Sequence, residues 1–189
     1  MSEKNALEPP ANGREWLCRG EHTDPHAVLG AHPDRDGVVV RAFHPDAAEA
    51  LCVIDGVSRP MKQIDARGLF ATRIANARLP LLYELRFEFA DGNSWQLVDP
   101  YRFAPTLGDQ DLHYIGEGSH RRLWHVLGAH PRRIDAVDGT SFAVWAPTAR
   151  RVSVIGDFCN WDGRLLPMRA MGASGVFELF VPGVFTGAR

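Results

Sequence analysis

Five tryptophans, eight histidines and three cysteines are the side chains of this 189-residue chain with most chemistry to offer. Their spacing narrows what that chemistry can be. Trp161 lies in Gly156-Asp157-Phe158-Cys159-Asn160-Trp161-Asp162-Gly163, a run of turn-forming residues around one large aromatic. A ring held in such a turn can stack on the apolar C–H face of a sugar, whose hydroxyls then need polar partners. The same ring can instead fold back as the lid of a core, because tryptophan is highly buried on average.

Catalytic arrangements are not found. The chain has no Gly-rich phosphate loop, no Gly-x-Ser-x-Gly elbow and no His-Glu-x-x-His helix. Cys18, His22 and His26 fall four apart, as on one helical face, but Asp24-Pro25 interrupts any helix between them. A fourth zinc ligand of suitable type is also missing nearby. His32 and His130 each precede a proline in matching contexts, which reads as a shared structural role. Asp55-Gly56, Asp91-Gly92, Asp138-Gly139 and Asp162-Gly163 read as turns. The sequence therefore assigns no catalytic residue, no metal site and no cofactor.

The elements that must position Trp161 read as short strands. Phe142 and Val144 alternate with Ala143 and Trp145, Pro147 marks a break, and Val152 and Val154 resume the two-residue period. Further upstream, Val38–Phe43, Leu51–Ile54, Tyr83–Phe89 and Trp95–Val98 read as strands, with Asp36-Gly37 and Asp91-Gly92-Asn93 as turns. Arg14–Arg19 reads as a short helix closed by Gly20. Asp24–Gly30 reads as a capped helical turn stopped by that glycine, and Asp109–Gly116 as another.

One series occurs twice. Val28-Leu29-Gly30-Ala31-His32-Pro33 returns as Val126-Leu127-Gly128-Ala129-His130-Pro131. Val40-Arg41-Ala42-Phe43-His44-Pro45 matches Phe142-Ala143-Val144-Trp145-Ala146-Pro147, and Gly68-Leu69-Phe70 matches Gly175-Val176-Phe177. The order is kept, which marks a tandem duplication. The expected fold is all-β: two tandem immunoglobulin-like antiparallel β-sandwiches joined by a short helical connector. The expected boundaries are a leader at 1–22, a first module at 23–103, a connector at 104–131 and a second module at 132–189. The second copy is expected to be incomplete, since it lacks counterparts of Tyr83–Phe89 and Trp95, and the chain is expected to be part of a longer protein.

Composition sets the outer limits. A net charge of −2 makes no case for nucleic acid or an anionic membrane. The first ten residues lack a signal-peptide core, no apolar run approaches about 18 residues, and three well-separated cysteines suit free thiols. A cytoplasmic location is expected.

Trp145-Ala146-Pro147 followed by Gly156–Gly163, together with Asp99-Pro100-Tyr101-Arg102-Phe103 and Gly116-Glu117-Gly118, resembles the duplicated N-terminal modules of bacterial glycogen branching enzymes. Cys159 stands where the family's loop usually has asparagine, with Asn160 one step later. The resemblance implies an α-glucan partner (glycogen, amylose or maltooligosaccharides) and a catalytic (β/α)₈ barrel further along the parent chain. That barrel would cleave α-1,4 links and form α-1,6 branches, and this portion would be inactive alone. By the same resemblance, Trp161, Asn160 and Trp95 are the candidate glucan-binding residues. The alternative is a free-standing glycan-binding or scaffolding module without chemistry.

Overall fold

The computed structural model describes residues 7–9 and 11–189. The remaining positions of the leader, 1–6 and 10, lie outside the described residues. The chain divides into two compact units, residues 1–19 with 26–102 and residues 20–25 with 103–189.

The first unit contains helix α1 (Ala11–Cys18), which starts slightly earlier than the sequence suggests. Seven antiparallel strands follow: β1 (Gly30–Asp34), β2 (Gly37–Phe43), β3 (Glu49–Ile54), β4 (Val57–Asp65), β5 (Leu69–Ala75), β6 (Glu84–Glu88) and β7 (Ser94–Val98). Their order is β1-β2-β5-β4-β3-β6-β7. Strand β4 joins the two layers of the sandwich. Its first half pairs with β3, from Val57 opposite Ile54 to Met61 opposite Ala50. Its second half pairs with β5, with a bulge between Gln63 and Asp65 that bends it across.

The core follows the two-residue period. Val38, Val40 and Ala42 of β2 join Phe70 and Ile74 of β5 against Ala50, Cys52, Leu85 and Phe87 of the other layer. Each large side chain so buried contributes about 1.5–3 kcal/mol. Between β3 and β4, Asp55 and Gly56 both adopt positive φ (51° and 76°), the geometry that matches strand twist in a two-residue hairpin. The expectation that Gly30 stops a helix is not met. The residue begins β1, with Val28 and Leu29 between it and a 3₁₀ turn at Pro25–Ala27.

The second unit contains helix α2 (Asp109–Gly116) and strands β8 (Gly128–Ile134), β9 (Val137–Trp145), β10 (Arg169–Ala170) and β11 (Val176–Pro182), ordered β10-β11-β9-β8. Asp109 and Asp111 favour the helix start by complementing its dipole. Leu107, Ile115, Ala143 and Val176 form a small core cluster. Phe177, Leu179 and Val181 alternate with Glu178 and Phe180 along β11, and all five are buried. Strand β11 is therefore covered on both faces.

The repeat has a structural counterpart. The β8–β9 hairpin corresponds to β1–β2, but β8 has seven residues against five in β1. The repeat spacing accordingly grows from 98 residues at Gly30/Gly128 to 102 at Val40/Phe142. The change is even, so inward and outward positions are preserved.

Val152–Ile155 departs from expectation. The segment makes an isolated bridge at Ser153–Pro167, with Val154 N–H donating to Leu166 O and Met168 N–H to Val152 O. Its counterpart β3 is paired on both sides, by β4 and β6. Here pairing exists on one side only among the described residues, and no extended strand forms.

Candidate glucan-binding loop

The loop carrying Trp161 is built by local backbone bonds. The segment Asp157–Cys159 forms a 3₁₀ turn, closed by Cys159 N–H to Gly156 O at 3.1 Å and Trp161 N–H to the same oxygen at 2.9 Å. Asn160 and Trp161 both adopt left-handed backbone, φ 51° and 58°. Asparagine tolerates that region, whereas a tryptophan there costs about 1–2 kcal/mol. The conformation turns the Trp161 ring outward, leaving the residue 56% exposed.

The ring is nevertheless held. Its indole Nε1–H donates to Asp157 Oδ1 at 2.8 Å. Asp162 accepts the Arg164 backbone N–H at 2.9 Å and its guanidinium at 2.6–3.0 Å, which fixes the far side of the turn. Cys159 is buried, with its thiol directed at Gly156 O at 3.4 Å. It anchors the loop, and the neighbouring Asn160 takes the exposed place. Ile155, 49% exposed, adds an apolar side chain beside Gly163. The loop thus presents a fixed aromatic face with an amide and an aliphatic group nearby, a combination that suits one face of a pyranose ring. Asp157 was not singled out from sequence. Its position four residues before the tryptophan is the signal that could have found it.

Trp95 belongs to the first unit and has a different setting. It lies half-buried on β7 opposite Phe87, with ring centroids 6.4 Å apart, and His44 meets its ring edge-on at 5.9 Å. The ring packs against the sandwich core. Trp161 and Asn160 are adjacent in the second unit, so the three sequence candidates divide between the units.

The histidines at the repeated positions bond backbone. His32 Nε2 lies 3.0 Å from Leu29 O and His130 Nε2 lies 2.9 Å from Leu127 O. Among the described residues, no group of three or more His, Cys, Asp or Glu side chains is placed to hold a metal ion. No described helix is long and apolar enough to cross a membrane.

These features define a tandem of two all-β modules. Residues 11–101 match the family model for the alpha-1,4-glucan branching enzyme GlgB N-terminal domain, and residues 126–189 match carbohydrate-binding module 48, the isoamylase N-terminal domain. The chain is 51% identical over 177 residues to the 1,4-alpha-glucan branching enzyme GlgB of Nocardia farcinica, covering 92% of this chain and 24% of that protein. It is 50% identical over 186 residues to the enzyme of the same name from Rhodococcus jostii, covering 96% and 25%. A pullulanase of Paenibacillus barengoltzii, solved with maltohexaose and alpha-cyclodextrin, matches 39% of this chain and 12% of its own at 29% identity and a TM-score of 0.32. The chain is similar to the N-terminal region of the GlgB branching enzymes, and it spans about a quarter of the length of those curated relatives.

Proposed function

We propose that this chain is the non-catalytic N-terminal portion of a cytoplasmic 1,4-α-glucan branching enzyme. In the whole protein, a downstream catalytic barrel cleaves α-1,4 links and transfers the released chain to a 6-hydroxyl. The observation that carries this reading is the tandem of two distinct family matches, in order, within one stretch of about 50% identity. The partner of this portion is an α-glucan such as glycogen, amylose or a maltooligosaccharide.

The second module supplies the contact through Trp161, with Asn160 as hydrogen-bonding neighbour. The bond to Asp157 fixes the indole before a ligand arrives, so little side-chain entropy remains to be lost on binding. Stacking one glucose on this ring is worth about 1–2 kcal/mol, by analogy with aromatic pairing. Trp161→Ala should therefore weaken maltoheptaose binding roughly 5–30-fold, at 1.4 kcal/mol per tenfold. Trp95 contributes any exposed edge of its ring from the first unit. Its part is the smaller one because core packing already occupies much of its surface.

The test has two arms. In native gels containing glycogen the chain should migrate more slowly than in plain gels. Incubated with amylose, it should form no α-1,6 links above background, because a retaining transfer needs two carboxyl groups about 5–5.5 Å apart across a sugar site. New branches made by this chain alone would overturn the reading, as would unchanged migration in glycogen.

A further inference from the structure

The two units share a hairpin but not its cover. In the first unit, the turn carrying His26 leads into β1 at Gly30, and a second 3₁₀ turn, Pro100–Arg102, lies over that junction. The Tyr101 ring meets His26 edge-on with centroids 5.0 Å apart. Its backbone comes so near that a Cβ on Gly30 would fall 2.5 Å from Tyr101 O. Asp99 shapes the turn by accepting the Tyr101 N–H at 2.8 Å. Gly30 is buried as a result.

The second unit repeats the seat. A 3₁₀ turn at Leu123–His125 leads into β8 at Gly128, whose φ of 109° resembles the 91° of Gly30. His130 caps Leu127 O as His32 caps Leu29 O. Yet a Cβ on Gly128 would meet only His130 Nε2, at 3.7 Å. Trp124, at the position of His26, is 67% exposed, and Leu123 is 40% exposed. The positive φ alone explains the glycine in both copies. It does not explain a tryptophan left largely in water.

We propose that the Trp124–Gly128 junction is the docking seat of an Asp-Pro-aromatic turn from the longer polypeptide, C-terminal to residue 189. This rests on the branching-enzyme reading for the existence of that segment. The first unit shows the occupant's chemistry: Asp99-Pro100-Tyr101 directly follows β7, at the C-terminal end of its module. The corresponding place in the second module lies past residue 189, and the curated relatives are about four times as long as this chain. The aspartate preforms the turn, the proline fixes its entry, the aromatic ring packs against Trp124 and a backbone carbonyl crosses the bare Gly128.

The seat can be loaded in a single chain. The sequence of residues 97–104 (Leu-Val-Asp-Pro-Tyr-Arg-Phe-Ala) is appended after Arg189 through a flexible Gly/Ser linker, which makes the effective concentration high. The first unit's own seat is already filled by Tyr101. Solvent paramagnetic relaxation of the Trp124 indole proton and amide exchange at Gly128–His130 are then read by NMR. The Trp124 signal should lose most of its solvent relaxation and exchange should slow. Both effects should vanish when the tyrosine of the appended copy is replaced by alanine. Unchanged exposure with the intact segment would overturn the proposal, and so would equal protection by the alanine version. Retardation by glycogen is measured on the same proteins. A bare seat with glycogen binding retained rejects this inference alone, whereas loss of glycogen binding rejects the functional reading.

Discussion

Replacing Glu178 by alanine should cost the second unit about 3–5 kcal/mol, the effect of removing one partner from a buried ion pair. Glu178 is fully buried on β11. Its Oε1 accepts from Arg169 Nε at 2.6 Å and Nη2 at 2.5 Å. Its Oε2 accepts from the Thr106 backbone N–H at 2.8 Å and hydroxyl at 2.5 Å. Arg169 also donates to Phe103 O, whose ring packs edge-on against Phe180 at 4.7 Å. One carboxylate thus ties β10 and the 103–106 segment to the sheet. Its loss strands a buried guanidinium and two Thr106 donors. Because domain stability is only about 5–15 kcal/mol, amide protection along Val176–Val181 should collapse, while Val38–Ile74 of the first unit stays protected. The double replacement Arg169→Met, Glu178→Leu should recover much of the loss, since it removes both charges together. Hydrogen exchange with mass spectrometry reads each unit separately. Full protection in the Glu178→Ala protein would show that the pair carries little.

Asp99 should contribute increasing stability to the first unit as pH falls from 7 towards 4.5. Asp99 is wholly buried, accepting from Tyr83 Oη at 2.5 Å and from the Tyr101 N–H. Burial outweighs those two bonds and the nearby Arg102, and pushes its pKa up from 3.8 to about 6. A carboxyl whose folded value lies above its unfolded value favours the fold when protonated. That stabilisation is fully present below about 4 and is lost as pH rises through about 6. Two units of difference correspond to about 3 kcal/mol. Asp65, held down to about 2 first by Arg67, works in the opposite sense only below its ordinary 3.8, as do Asp34 and Asp91. Glu15, also lowered first by Arg67, opposes only below 4.5. Between 4.5 and 6 none of these carboxylates opposes Asp99; His26, His32 and His44 also lie in this unit, so the Asp99 contribution is read as the difference from Asp99→Asn. His22, lowered by burial, opposes below its ordinary 6.5 but lies in the second unit. Denaturant unfolding followed by exchange at Val38–Val40 should show the wild type gaining stability relative to Asp99→Asn as pH falls. A difference between wild type and Asp99→Asn that does not change across this window would contradict the Asp99 assignment.

What the sequence disclosed followed where periodicity and turn chemistry agreed. Val38–Phe43, Trp95–Val98 and Asp109–Gly116 were legible because alternation or capping residues marked them. Strands β1 and β8 were not, since Gly-Ala-His-Pro shows no alternation. They are edge strands, paired on one side, where Pro33 and Pro131 can sit without breaking a sheet. Strand β4 was hidden by Arg59-Pro60 and by its mostly exposed residues. Val152–Ile155 read as a strand because Val152 and Val154 alternate, but a strand also needs neighbours, and sequence pattern does not count them. In the candidate site, the motif pointed to Trp161 and Asn160. The left-handed backbone that turns the ring outward, and Asp157 that holds it, emerged only with the loop's hydrogen bonds.

Trp161 is the proposed sugar platform. Its most direct test is a maltoheptaose titration of the wild-type chain, observed through the five tryptophan indole N–H resonances. The Trp161 resonance should shift in a saturable manner together with the amides of Ile155–Gly163, while Trp16 and Trp124 stay in place, and the Asp157→Ala protein should bind more weakly. A Trp161 resonance that stays fixed at sugar concentrations that saturate shifts elsewhere in the chain would contradict the account.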